Sequence, residues 1–177
     1  MRNLIQPTWC LNSIYRLKPS DLIDQQIKGL IVDLDNTLLA WNCLDHTQEL
    51  ALWVKSMQDA GIKLFVLSNN HPERVHRVAN PLNLPYLGHA LKPLRRSFRL
   101  AMKTMQVDSE HILVVGDQIM TDVIGAKSLG LKVLLVKPIV NNDNIYTLVN
   151  RNLEKMALKW IGIDRLGDWG DQLERTN

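Results

Sequence analysis

Cysteine is scarce in this chain: Cys10 and Cys43 are the two among 177 residues, in no paired spacing. That excludes a disulfide framework and a thiolate zinc site as organising devices, and it suits a reducing, cytoplasmic compartment. Long apolar runs are missing too. No stretch approaches the roughly 18 apolar residues of a membrane span, so any membrane contact is expected to be peripheral. Arg2 stands near the start, but Asn3, Gln6 and Pro7 interrupt any apolar core of a secretion signal. Internal repeats and low-complexity segments are absent. The five histidines form no ligand pattern, and the net charge of +3 is too mild to imply nucleic acid by itself. No nucleic-acid motif accompanies it. What is left is an ordinary globular composition, 46% hydrophobic and 22% charged, at a length that suits one domain spanning residues 1–177.

The most informative stretch is residues 28–37, Lys-Gly-Leu-Ile-Val-Asp-Leu-Asp-Asn-Thr. Gly29 to Val32 read as a buried parallel strand that runs into a polar cluster. Strand alternation puts Asp33 and Asp35 on one face, just where Asn36 favours a turn. Two neighbouring carboxylates are costly to hold unless a cation or acid–base chemistry accounts for them. The carboxyl end of a parallel strand is also where ligands bind in open α/β sheets.

Around that strand, apolar runs and helical periodicities alternate. Thr47 reads as the cap of a helix bearing Leu50, Trp53, Val54 and Met57, ended by Gly61. Ile62–Leu67 is a second strand and stops at Ser68-Asn69-Asn70. Pro72 opens a helix, so His71 reads as a helix-start residue. Tyr86–Ala90 is a short third strand, followed by Lys92-Pro93. A helix from Pro93 to Gln106 aligns Leu94, Phe98, Ala101 and Met105. His111–Val115 is a fourth strand ending at Gly116-Asp117, a helix follows over Asp122–Leu129, and Leu131–Val136 is the fifth. A final helix over about 144–162 is expected to dock through Ile145, Leu148, Val149, Met156 and Trp160, with Arg151, Lys155 and Lys159 opposite. Residues 1–20 read as an irregular arm able either to cover the sheet's edge or to touch a partner, and Ser20 or Asp21 as the cap of a short helix through Gln26. Trp9, Tyr15, Trp160 and Trp169 are expected to be packed aromatics rather than membrane anchors. The alternation predicts an α/β fold, a parallel sheet of five strands with helices on both faces and a core over about 28–138.

Four strand ends carry polar residues: Asp33-x-Asp35-x-Thr37, Ser68-Asn69, Lys92 and Gly116-Asp117-x-x-x-x-Asp122. Alone, each is ordinary, since Ser-Asn makes turns, Lys-Pro occurs in loops and Asp caps helices. In this order, each beside a β/α unit, they resemble the four motifs of the haloacid dehalogenase superfamily. The resemblance covers about residues 28–138 and implies a three-layer Rossmann-like sandwich. It implies Asp33 as nucleophile, Asp35 as general acid and base, and Lys92, Ser68, Asn69 and Thr37 about the phosphoryl group. It also implies Mg²⁺ on Asp33, the backbone carbonyl of Asp35 and Asp117, with Asp122 supporting them. No room for a cap domain exists after Asp35 or between Ser68 and Lys92, so the site is expected to be open and to suit a large or surface-presented substrate.

Finer wording, Asp-Leu-Asp-Asn-Thr-Leu, Ser-Asn-Asn, Lys-Pro-Leu-Arg-Arg-Ser-Phe and Gly-Asp-Gln-x-x-Thr-Asp, resembles the YqeG family of subfamily IIIA phosphatases. That family is similar to the mitochondrial and plastid phosphatidylglycerophosphate phosphatases, which implies an anionic phospholipid as substrate. From His71 to Lys103 seven bases face one acid, Glu73. Arg95, Arg96 and Arg99 among them are either a solvated helix face or an anion-attracting rim beside Lys92. A soluble ester or phosphoprotein substrate, and a binding module with an idle site, are the other readings.

Overall fold

Every position of Gly29–Val32 and of Ile112–Gly116 is buried. Strands without a polar side can be accommodated only in a sheet covered on both faces. The computed structural model describes residues 2–140 and 148–173. Among the described residues the strands are β1 (Trp9–Leu11), β2 (Gly29–Val32), β3 (Lys63–Leu67), β4 (Tyr86–Leu87), β5 (Ile112–Gly116) and β6 (Lys132–Val136). They form one parallel sheet in the order β1-β6-β5-β2-β3-β4. The helices are α1 (Arg2–Ile5), α2 (Pro19–Asp24), α3 (Gln48–Asp59), α4 (Pro72–Ala79), α5 (Arg95–Met105), α6 (Ile124–Lys127) and α7 (Leu148–Ile161).

Strand alternation divides the core into two layers. Leu30, Val32, Leu64, Val66, Leu113 and Val115 meet Leu22, Leu50, Trp53, Met57 and Val75 from α2, α3 and α4. Ile31, Phe65, Val114 and Val133 meet Ile5, Phe98, Ala101, Ala126 and Leu158 from α1, α5, α6 and α7. Local signals set the ends. Thr47 Oγ1 accepts the Leu50 N–H at 3.1 Å to start α3, and Gly61 at φ +78° follows its end. Loop Asn36–Thr47 and the α4–β4 segment fill the two places where a cap domain would be inserted.

Four expectations are corrected. The sheet has six strands, because the N-terminal arm is not irregular throughout: β1 pairs with β6 in register Trp9↔Leu134 to Leu11↔Val136. Thr8 extends that pairing, its N–H donating to Val133 O at 2.8 Å and its Oγ1 accepting from Val133 N at 3.0 Å. The third strand is Tyr86–Leu87 only. Leu94 leaves the apolar stripe of α5 because it is the extended residue before the first turn, and it is 58% exposed. On α7 the docked face is Glu154, Ala157, Leu158 and Ile161, while Met156 and Trp160 are exposed. Ile145 and the side chains of Leu148, Val149 and Arg151 lie outside the described residues. Trp9 is buried, Tyr15 packs edge-on against Trp53, and Lys137 sits over the Trp169 ring.

The sheet order places β2 between β3 and β5. The chain leaves β2 toward β3 and β4 and then crosses back to β5, so the crevice beyond the β2 and β5 carboxyl ends is a topological switch point. The four polar strand ends open there.

Candidate active site

Asp33 follows β2 directly and keeps its ladder bond, its N–H donating to Val115 O at 2.9 Å. The chain then folds back: Leu38 N and Leu39 N both donate to Leu34 O, and Asn36 adopts φ +64°. Asn tolerates that left-handed conformation better than most residues, which accounts for its place between Asp35 and Thr37. Ser68 stands at the end of β3 and its Oγ accepts the Asn70 N–H at 3.0 Å. Asn69 holds the backbone on both sides of the Lys92 side chain, with Lys92 N donating to Oδ1 at 2.7 Å and Nδ2 donating to Lys92 O at 3.1 Å. Asn69 therefore positions Lys92 rather than facing the cleft with its whole amide.

Lys92 is 7% exposed and its Nζ lies 2.6 Å from both Asp33 Oδ1 and Asp122 Oδ1. Burial alone would pull this ammonium down, but Asp122 and Asp33 outweigh it and hold the pKa above its ordinary value. The carboxylates of Asp33, Asp117 and Asp122 lie within 4.8 Å of one another. Burial pushes Asp33 up to about 7, against the pull of Lys92 and with a further push from Asp122. Asp117 is raised well above its ordinary value, by burial first and then by Asp33 and Asp122. Gly116 makes this crowding possible: a Cβ there would stand 2.3 Å from the Asp122 carboxyl.

The donor set suits a divalent cation. Three carboxylates share one ammonium, and Asp117 Oδ1 is buried with no hydrogen-bond partner among the described residues. A buried acceptor without a donor is costly, and hard oxygen donors at this spacing suit Mg²⁺. Thr37 Oγ1 and Asn36 Oδ1 are likewise buried without partners among the described residues.

Asp35 shares the cleft with Asp33 but stands outside the carboxylate trio, with partners of its own. Arg74 Nη2 and Nε donate to its Oδ1 at 3.1 and 3.3 Å, and Asn70 Nδ2 donates to its Oδ2 at 3.0 Å. Arg74 also binds Leu44 O at 3.1 Å and Ala40 O at 3.4 Å, so one guanidinium ties the carboxylate to the loop after β2. In the sequence Arg74 stands out only as part of the basic stretch from His71 to Lys103. Its signal was position, on the first turns of the helix that follows Ser68-Asn69. Arg95 bonds Ser128 Oγ at 3.2 Å and stays exposed, as do Arg96 and Arg99. His71 occupies the N-cap position of α4 without a side-chain capping bond, and its ring meets His89 edge-on. Asp33, Asp35, Ser68, Asn69, Asn70, Lys92, Gln118 and Thr121 line one cleft of about 360 Å³.

A family model for haloacid dehalogenase-like hydrolases matches residues 42–130. "Probable phosphatase YqeG" of Bacillus subtilis (strain 168) is 34% identical over 158 residues, 89% of this chain and 92% of that protein. This chain belongs to the haloacid dehalogenase-like hydrolases. Solved structures agree on the fold of this hydrolase. The cobalt-bound deoxy-D-mannose-octulosonate 8-phosphate phosphatase of Haemophilus influenzae superposes with a TM-score of 0.52 at 20% identity, covering 78% of this chain and 90% of that one. A protein from Listeria monocytogenes serotype 4b gives 0.54 at 16% identity, covering 67% and 84%. Both likenesses speak to architecture alone.

Proposed function

We propose that this hydrolase is a Mg²⁺-dependent phosphomonoesterase that works through an aspartyl-phosphate. The observation that carries the reading is Asp33, a carboxylate at the switch point held by the Lys92 ammonium at 2.6 Å beside Asp117 Oδ1, which has no partner among the described residues. An oxygen of Asp33 attacks phosphorus as the bond to the leaving oxygen breaks. Asp35 gives that oxygen its proton, then takes one from the water that attacks the aspartyl-phosphate and releases inorganic phosphate. Lys92 and Ser68 hold phosphoryl oxygens, and Thr37 Oγ1, buried without a hydrogen-bond partner among the described residues, is assigned to the same group. Asp33, Asp117 and the Asp35 carbonyl would hold Mg²⁺, with Asp122 in support, and the ion would supply positive charge to offset that of carboxylates and phosphate.

This assignment makes leaving groups diagnostic. Asp35→Asn is expected to slow alkyl esters by about 10²- to 10⁴-fold and to spare the first step with an activated aryl ester. Arg74→Ala should show the same leaving-group dependence with a loss of roughly 10- to 100-fold, because the acid loses its alignment. Burst kinetics on matched alkyl and aryl phosphates checks both. A loss independent of the leaving group would remove Asp35 from the acid role and Arg74 from its support.

For substrate we propose the phosphate of phosphatidylglycerophosphate, reached by peripheral contact with an anionic membrane. The support is that Arg95, Arg96 and Arg99 are exposed on the helix that follows Lys92, though none of them lines the cleft itself, and that Leu91 and Leu94 on either side of Lys92 are exposed by 66% and 58%. On α7, Leu153, Met156 and Trp160 face out beside Lys155 and Lys159, a pattern suited to an interfacial helix. No described helix is long and apolar enough to cross a membrane. Changing Arg95, Arg96 and Arg99 together to Gln is expected to cut turnover of lipid in anionic vesicles by roughly 100-fold, at about 1 kcal/mol per base, and to leave a small soluble ester unaffected. The ratio of the two turnovers decides. An unchanged ratio removes the rim from substrate encounter. Turnover of soluble esters or phosphopeptides but not of the lipid would favour the soluble-substrate reading. A folded protein inactive on all of them would favour an idle binding module.

A further inference from the structure

Glu154 belongs to none of the sequence patterns above. It lies on the docked face of α7, is 6% exposed, and spends both carboxylate oxygens on backbone N–H groups of a distant loop. Ile119 N donates to Oε2 at 3.0 Å and Met120 N donates to Oε1 at 2.7 Å. Burial pushes its carboxyl up while those two N–H groups hold it down. A helix that needed only to pack would place an apolar side chain here, as it does at Ala157, Leu158 and Ile161. Burying a carboxylate near the Asp33, Asp117 and Asp122 cluster is costly, so its bonds account for its presence.

The two N–H groups open the π-helical turn Ile119–Val123, and Gln118, the residue before it, makes no side-chain cap. First-turn N–H groups have no partner within their own helix. Glu154 supplies from another element the acceptors that a local Ser or Asp would supply. The clamped residues sit between the two acids of the site: Asp117 is two positions before Ile119, and Asp122 two after Met120. Asp122 in turn accepts from Gln118 N at 3.3 Å and from Lys92 Nζ at 2.6 Å. A shift of this turn therefore moves both carboxylates and, through Asp122, the Lys92 ammonium it holds.

We infer that Glu154 is a positioning residue: from the C-terminal helix it fixes the backbone of Ile119 and Met120, and through it the spacing of Asp117 and Asp122 around the cation site. The inference rests on reading Asp117 as a metal ligand, and it is independent of the substrate. It extends the site to a helix beyond all four strand-end motifs. Outer-shell groups that orient metal ligands change affinity by about 10- to 100-fold when removed, and that is the size of effect expected here.

The test is Mg²⁺ binding to the full chain by isothermal titration calorimetry, with no substrate present, alongside melting temperature and the Mg²⁺ dependence of turnover. Glu154→Ala is expected to weaken Mg²⁺ binding by about 10- to 100-fold, and Glu154→Gln, which keeps one acceptor, by about tenfold or somewhat less. Leu158→Ala, from the same buried face, controls for loosened docking: it should lower the melting temperature and leave Mg²⁺ affinity within about twofold of the parent. Equal Mg²⁺ affinity in Glu154→Ala and Leu158→Ala would overturn the positioning role. Should Glu154→Ala fail to fold, the isosteric Glu154→Gln decides, and parental affinity in it overturns the role. A parent that binds no Mg²⁺ would instead overturn the metal reading on which the role rests.

Discussion

Asp33→Asn is expected to lower phosphomonoester turnover by roughly 10⁵-fold and to leave the fold intact, because the amide cannot form the acyl-phosphate bond. The same change should stabilise the metal-free protein at high pH. Asp33 titrates near 7 in the folded chain against an ordinary value of 3.8, chiefly through burial. Between those values the folded state keeps a proton that the unfolded chain has released, so this group's contribution to stability falls as pH rises from about 4 to about 7. Asn carries no such proton. The variant's melting temperature should therefore exceed the parent's at pH 8 without divalent cation, and the gap should shrink as pH is lowered toward 4. Added Mg²⁺ should narrow it at pH 8 by stabilising the parent. Melting curves at the two pH values, with and without Mg²⁺, make the comparison. A phosphoenzyme formed by the folded variant at the parental rate would remove Asp33 as nucleophile, and a gap independent of pH would remove its raised pKa.

Lys92→Ala should be costly in two ways at once. The ammonium is buried between Asp33 and Asp122 at 2.6 Å from each, with Asp117 close by. Removing it leaves buried carboxylates without their cation, a change that costs about 3–5 kcal/mol in such pairs. For a chain of this size that lowers the melting temperature by roughly 10 °C. Loss of a charge aimed at phosphoryl oxygens should cost a further factor of about 10²–10³ in turnover. Excess Mg²⁺ should restore part of the stability, since it relieves the same repulsion. It should restore little turnover, because the cation cannot replace the lysine on the phosphoryl group. A variant with parental melting temperature would show that the carboxylates are neutralised by other means. One with turnover within about tenfold of the parent would place phosphate binding elsewhere in the cleft.

The central strands were legible because they are apolar at every position and end in polar residues. Gly29–Val32 followed by Asp33, and Ile112–Gly116 followed by Asp117, carry their burial and their chemistry in consecutive residues. Local grammar sufficed there, as it did for Thr47 and Gly61 around α3. β1 was not legible, because three residues after Pro7 show no period; they become a strand only when β6 offers an edge to pair with. The docked face of α7 is not legible in the sequence for a related reason. Its apolar residues lie on more than one side, and the side that docks is the one from which Glu154 reaches Ile119 and Met120.

The sequence by itself determined the α/β alternation and the four strand ends where Asp33, Ser68, Lys92 and Asp117 stand. Those are properties of neighbouring residues, and periodicity and turn chemistry act over a few positions. Only the tertiary structure decided what each side chain meets: Arg74 on Asp35, Asn69 on the Lys92 backbone, Lys92 between two carboxylates, and Glu154 beneath the turn that bears Asp122. These partners lie far apart in the chain, and their pairing depends on burial and charge that exist only once the sheet has closed over its two layers.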